Sequence, residues 1–487
     1  VKGISFSSLH IIYILPEIIL AAFGIAIMLL DVIFKRKNKI YLFWLSLLAL
    51  ALAFCVSLAL WSKPGLGMVN TIVNDTISLF FNFIFLLGTF ITLLMSLDYI
   101  NREGFNLGEY YALLLFSTTG MLIVSSAMDL ITLFLGLALL SLSLYILAGI
   151  NRKDLRSNES AIKYLLVGAF ASAFLLYGIS FIYGATGFVN LKLIADFLNN
   201  QSNTYSTLLY GGLGLMLAGF GFKIALVPFH GWQPDVYEGA PTSITAFMSA
   251  GAKAAGFAAL IRLLFVGLPQ LKISWVTILQ IIAILTMSLG NIVAIAQSNI
   301  KRMLAYSSIA HAGYMLIGII SANEIGIASL LFYLIIYSFM NLGAFAVAIL
   351  VGRKGDKFLS INDYAGLSSK YPLLALIMSI FLLSLAGIPP MGGFVAKFYI
   401  FSAAVKSGYI PLAIIGVLNS VISLVYYLKV IVTMYTQKAE KDYKPIVYNP
   451  AIIACLIISL VGTLYLGLFP SSLMHYASLA VSSLFGG

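Results

Sequence analysis

Three lysines stand where a lysine is costly. Lys223 lies in GFGFKIALVPFHGW, Lys253 in the small-residue stretch SAGAKAAGF, and Lys397 in LAGIPPMGGFVAKF, each inside a run apolar enough for lipid. A lysine at mid-bilayer costs about 2.5–3.5 kcal/mol on insertion scales, so three on separate segments need a reason. One reading is a proton or cation path through a hydrated interior, because loss of water disfavours an ammonium and eases its proton off. The bland readings are a lysine that reaches back to the membrane surface along its stem, and one bonded to free carbonyls at a helix break. Lys253 is eleven residues past Thr242, roughly 16 Å into a helix, which is near the midplane and speaks for the path. His311 is the one histidine well inside an apolar run, and it serves equally as a proton relay or as a hydrogen-bonded packing residue. Asp235 and Glu238, just past the seventh apolar run, read as surface carboxylates beside a turn ahead of guides for incoming protons.

The elements that must position these residues are membrane helices. Of 487 residues, 61% are hydrophobic and 9% are charged, and the mean hydropathy is +1.03. Soluble domains carry about 25% charged residues. At roughly 20 residues per crossing the length accommodates about fourteen spans. Apolar runs fall at 10–34, 40–61, 76–97, 109–126, 129–150, 160–185, 208–229, 242–266, 273–296, 302–322, 325–352, 372–401, 408–434 and 449–470. Lipid leaves helices and closed barrels as the possible spanning forms, and the ten-residue alternation of barrel strands is missing. The expected fold is therefore an all-α polytopic membrane protein. The first run, longer than a signal-peptide core of about 7–15 residues, reads as a retained helix.

Basic residues test that count. With fourteen alternating spans, one face receives Lys35, Arg36, Lys37, Lys39, Arg102, Arg152, Lys153, Arg156, Lys301, Arg302, Arg353, Lys354, Lys357, Lys370, Lys438, Lys441 and Lys444. The other receives Lys2, Lys63, Lys192, Lys272 and Lys406. The positive-inside rule then puts the first group in the cytoplasm and both termini in the periplasm of a bacterial cell. In a water-soluble protein the net charge of +11 might point to nucleic acid; here it orients the chain, and the partner it implies is the bilayer. Arg262 and Lys429 sit near the ends of their runs and are expected to snorkel. Cys55 and Cys455, each in an apolar run, read as buried apolar cysteines; no Cys-x-x-Cys or iron–sulfur ligand set exists, and no metal site is expected.

Proline and glycine break two of the spans. Pro228 follows Lys223 by five residues, and Pro389, Pro390 and two glycines precede Lys397 in a run of thirty residues, too long for one straight crossing. Broken spans in separate halves suggest a repeat, with spans four to eight and nine to thirteen as units. Five spans per unit is an odd number, so the second unit would be inverted. The chain divides accordingly into 1–107, 108–266, 267–434 and 435–487.

At these residues the chain closely resembles the subunit N family of bacterial respiratory complex I. The matching stretches are GEYYALLLFSTTGM (108–121), SNESAIKYLLVGAFASAFLLYGISFIYGATG (157–187), KIALVPFHGWQPDVYEGAPTSITAFMSAGAKAAGF (223–257), NIKRMLAYSSIAHAGYML (299–316) and SLAGIPPMGGFVAKF (384–398). The resemblance implies fourteen helices, two inverted five-helix repeats and broken seventh and twelfth helices. It implies that Lys223, Lys253 and Lys397 are proton-path lysines, coupled to quinone reduction elsewhere in an NADH:quinone oxidoreductase. It implies further that flavin, iron–sulfur clusters, NADH and quinone belong to other subunits, and that this chain sits between subunits M and K in the inner membrane. One departure stands out: where the family has a fifth-helix glutamate in a motif like LFLGLELLSL, this chain reads LFLGLALLSL, with Ala138 in its place. The rivals are a subunit of a multisubunit cation/proton antiporter, against which the VYEGAPT and GAKAAGF stretches argue, and a structural subunit that has lost pumping, which Ala138 motivates.

Overall fold

The computed structural model describes residues 10–34, 39–200, 206–352, 355–356, 358–438, 443, 445–446 and 448–485. The basic residues Lys2, Lys35, Arg36, Lys37, Arg353, Lys354, Lys357, Lys441 and Lys444 lie outside them. Among the described residues, twelve helices are long and apolar enough to cross a membrane, and the only sheet is the two-stranded hairpin Gly65–Gly67 with Ile72–Asn74. The protein is an all-α polytopic membrane protein. A further helix, Gly108–Ser126, lies where the fourth span was expected, and the twelfth is two shorter helices, Pro372–Ala386 and Gly392–Lys406.

Burial sorts the helices into a core and a rim. Ile300–Ile320 and Glu324–Val351 are enclosed over 94% and 89% of their most apolar stretch, against 33% for Leu155–Thr186 and Ile410–Thr436. Lipid tails are as apolar as leucine, so hydropathy does not separate the two classes. Cys55 illustrates this: its helix, Ile40–Ala59, is peripheral and its thiol points outward, contrary to the buried site expected, whereas Cys455 is buried.

Basic loops converge on one end of the bundle. Arg156 donates to the Gly355 carbonyl at 2.9 Å, Arg102 to the carbonyls of Ile349 and Gly352, and Lys301 pairs with Asp356 at 3.2 Å. At the opposite end Lys272 donates to the Ala322 carbonyl. Arg262 departs from its expected snorkelling. It is 3% exposed, clasps both carboxylate oxygens of Asp75 at 2.6 and 2.7 Å, and donates from Nε to the Ser125 carbonyl at 2.8 Å. A guanidinium fork is flat and rigid, and it finds here a carboxylate at the start of the third helix.

One local device occurs twice. Asp129 caps the helix Leu130–Ala148 through the N–H groups of Ile131 and Thr132, while Leu130 and Leu191 exchange backbone hydrogen bonds with Val189 and Met128. Asn299 caps Ile300–Ile320 through Lys301 and Arg302, while Ile300 and Ile361 do the same with Leu359 and Ser298. In both cases the segment after the next helix returns to tie down the start of the capped one.

Candidate functional site

Both expected breaks are present, and each sets a lysine. The helix Pro372–Ala386 ends at Gly387, whose φ of +87° suits glycine; a Cβ there would also meet the Lys397 side chain. Ending the helix frees the Ala386 carbonyl. Lys397 takes it at 2.8 Å and also donates to Ser420 at 2.8 Å, on the helix Ile410–Thr436. Lys397 is itself buried but borders a cleft of about 800 Å³ between these helices, lined by Phe398, Ile414 and Val421.

The other break follows the helix Thr207–Ile224. Ala225 takes a left-handed conformation, the Trp232 indole caps the Phe222 carbonyl at 3.1 Å, and Thr286 accepts from the Val227 N–H at 3.0 Å before helix resumes at Trp232–Gly239. Partners from two other places thus replace the missing helix bonds. Lys223, on the last turn before this break, donates to Ser141 at 2.6 Å and lies 6.0 Å from the Tyr145 ring centroid. Ser141 is three residues past Ala138, on the same face of the helix Leu130–Ala148. A hydroxyl holds the ammonium close to where the family glutamate is absent.

Lys253 is 3% exposed, and its ammonium donates to both the carbonyl and the hydroxyl of Ser308 on the core helix Ile300–Ile320. It follows directly on a π-helical turn, Met248–Ala252, which the sequence did not foretell. Such turns frequently mark functional positions.

His311 lies one turn along from Ser307 and Ser308. Its Nδ1 pairs with the Tyr333 hydroxyl at 2.7 Å and its Nε2 with the Tyr427 hydroxyl at 3.2 Å, and Tyr427 also bonds Ser307. The next tyrosine, Tyr426, donates to Asn291, which donates to Tyr314 at 2.9 Å, and Lys397 lies 5.0 Å over the Tyr314 ring. Buried polar side chains therefore lie between Lys253, His311 and Lys397 in groups set side by side: Ser308 on Lys253; Ser307, Tyr427 and Tyr333 around His311; and Tyr426, Asn291 and Tyr314 toward Lys397. Lys223 stands apart: among the described residues no hydrogen bond joins its shell to that of Lys253. Sequence reasoning found the lysines and His311 but missed Ser307, Ser308, Tyr314, Tyr427 and Asn291. For Ser307, Ser308 and Tyr314 the pattern YSSIAHAGY carried the signal, with polar residues at i, i+1, i+4 and i+7; Asn291 and Tyr427 come from other helices and had none there.

The acids have other partners. Asp235 bonds Lys163 at 3.0 Å and Arg302 at 2.8 Å, and Glu238 bonds Arg302 at 2.9 Å. Partial burial pushes the Asp235 carboxyl up, but the hydrogen bonds and charges of Arg302 and Lys163 outweigh it and hold the carboxyl below its ordinary value. It stays ionised at neutral pH as a structural anion. Among the described residues no group of three or more His, Cys, Asp or Glu is placed to hold a metal ion.

Comparison with known proteins gives one answer. The family described as NADH:quinone oxidoreductase/Mrp antiporter, transmembrane, matches residues 127–423. NADH-quinone oxidoreductase subunit N of Trichlorobacter lovleyi is 49% identical over 98% of this chain and 98% of its own length, and that of Moorella thermoacetica 41% over 97% and 98%. A chain of respiratory complex I from Thermus thermophilus superposes with a TM-score of 0.81 at 35% identity, covering 95% of this chain and 99% of that one. A chain of the Mrp complex from Dietzia shares the fold, with a TM-score of 0.82 at 23% identity over 97% of each.

Proposed function

The chain belongs to the NADH:quinone oxidoreductase/Mrp antiporter family, among the subunit N proteins of respiratory complex I, and on that premise we propose that it moves protons across the membrane through its lysines. Lys253 acts as the central relay, with Lys397 on one side and Lys223 on the other. The observation that carries this reading is the succession of buried polar groups between Lys253 and Lys397: Ser308 on Lys253, Ser307 with Tyr427 and His311, and the Tyr314 ring beneath Lys397. A cationic amine deep in lipid is costly, and among the described residues no carboxylate pairs with it; it is bonded to the Ser308 carbonyl and to the Ser308 hydroxyl, a group that can both donate and accept.

The chain spans the membrane fourteen times, with the basic-loop end in the cytoplasm of a bacterial cell and both termini in the periplasm. Residues 108–266 and 267–434 form two inverted units, a reading supported by the recurrence of the Asp129 and Asn299 capping device at matching places. Quinone reduction takes place in other subunits, which hold the flavin and iron–sulfur clusters; M and K are the neighbours of this chain. Isolation of the chain in its native assembly is expected to bring down flavin and iron–sulfur centres with it. An assembly without them would overturn the redox-coupled reading in favour of an ion-gradient antiporter.

Ala138 favours a specific test. Ala138→Glu places a carboxylate one turn from Ser141, within reach of the Lys223 ammonium, and a nearby opposite charge alters how readily an amine exchanges protons. The pH profile of turnover in the assembled complex is expected to shift. An unmoved profile would mean that positions 138 and 223 do not communicate.

A further inference from the structure

The Lys223 ammonium meets aromatic rings as well as Ser141. It lies 6.0 Å from the ring centroid of Tyr145 and 5.8 Å from that of Phe222, its neighbour in the chain, within the range over which a cation is drawn to the negative face of a ring. Among the described residues no carboxylate pairs with it, so a hydroxyl and two rings are what the ammonium has. Tyr145 is buried and stands one turn past Ser141 on the helix Leu130–Ala148, so hydroxyl and ring are offered from the same face. Its own hydroxyl lies against Gly168 on the helix Leu155–Thr186, where a Cβ would run into it.

The two rings belong to one wall. Tyr145 meets Tyr164 edge-on at 4.7 Å between centroids, Tyr164 stacks on Trp232 at 4.6 Å and 9°, and Trp232 lies 5.0 Å from Phe222. The Trp232 indole is also the group that caps the Phe222 carbonyl at the helix break. Rings from four helices thus close the break, and the two ends of their chain, Tyr145 and Phe222, are the two that meet the ammonium.

We propose that Tyr145 and Phe222 hold the Lys223 ammonium at the break by cation–π attraction, with Tyr145 as a positioning residue for this lysine. This rests on the proton-path reading above. The use of rings has a chemical consequence. An aromatic face attracts the ammonium but has no site for its proton, and its hold lapses once the amine is neutral. A carboxylate would hold the cation and also compete for the proton. Lys223 is therefore kept in place while charged, and the group bonded to it is a hydroxyl that can both accept and donate.

The test measures protons pumped by the assembled complex in proteoliposomes. Tyr145→Leu keeps an apolar side chain and removes the ring face; pumping is expected to fall about fivefold, the effect of losing one partly desolvated cation–π contact. Tyr145→Phe restores the ring without the hydroxyl and is expected to recover most of that loss. Adding Ala138→Glu to Tyr145→Leu is expected to recover most of it as well, because a carboxylate one turn from Ser141 gives the ammonium another hold, which no repair of packing would do. Should Tyr145→Leu fail to assemble, Phe222→Leu takes its place, compared with Phe222→Tyr and with added Ala138→Glu. A loss that Tyr145→Phe repairs and Ala138→Glu does not would overturn the hold and make Tyr145 a packing residue. Wild-type pumping in Tyr145→Leu, with pumping lost in Lys223→Ala, would overturn it too and leave the proton path standing. Wild-type pumping in Lys223→Ala would instead remove Lys223 from the path, and this role of Tyr145 with it.

Discussion

Replacing Lys253 by alanine is expected to cut proton pumping by a factor of order 10², the lower end of what a positioned proton-transfer group contributes. Quinone reduction should fall with it, because a coupled machine cannot turn over past a blocked step. The fold should survive. Truncation removes a buried cation and leaves Ser308, a neutral hydroxyl that a helix lets turn to the carbonyl one turn back. Lys253→Arg sharpens the test: a guanidinium keeps the positive charge but does not release its proton in a protein. If the charge alone mattered, arginine would rescue; if exchange matters, arginine is as inactive as alanine. Near-normal pumping in Lys253→Ala counts decisively against a relay at this position.

The second large effect lies at the other end of the same helix. Asp75→Ala should destabilise the protein by about 3–5 kcal/mol, because it leaves Arg262 charged and buried without its carboxylate. A further contribution of about 1 kcal/mol comes from the lost N-cap, since the Asp75 carboxylate also accepts from the Ser78 N–H at 2.9 Å. The thermal melting transition of the detergent-solubilised complex should drop accordingly, and the double variant Asp75→Ala, Arg262→Leu should recover most of the loss, because no buried charge then lacks a partner. An unshifted transition in Asp75→Ala would mean that Arg262 reaches water after all.

These two residues mark where the sequence was legible. Lys253 could be found from a chain of letters because a lysine eleven residues into an apolar helix is conspicuous against its own neighbours. The breaks after Ile224 and Ala386 could be found likewise, since proline and glycine act on the backbone within a turn or two. Arg262 was equally visible, but its surroundings were not: Asp75 is 187 residues away in the chain, and distance from the helix end pointed to the membrane surface. Cys55 failed for a related reason. Hydropathy reports that a side chain avoids water, and a lipid-facing thiol avoids it as well as a core one does. The carboxylates Asp235 and Glu238, read as surface groups beside a turn, sit half-buried on the helix Trp232–Gly239, and their ties to Lys163 and Arg302 come from helices far off in sequence.

The sequence by itself determined the class of the protein, the positions of its helices and breaks, and which lysines must be explained, because each of those follows from the cost of polar groups in lipid and from backbone chemistry acting over a few residues. Only the tertiary structure decided what the lysines touch. Ser308 for Lys253, Ser141 for Lys223, and Ala386 with Ser420 for Lys397 are brought in by helix packing, and serine and a backbone carbonyl carry no mark in the sequence that sets them apart from their many equivalents. Packing between helices in a membrane depends on shape and on hydrogen bonds between distant segments, with little help from the hydrophobic effect, so those partnerships appear only when the helices are assembled.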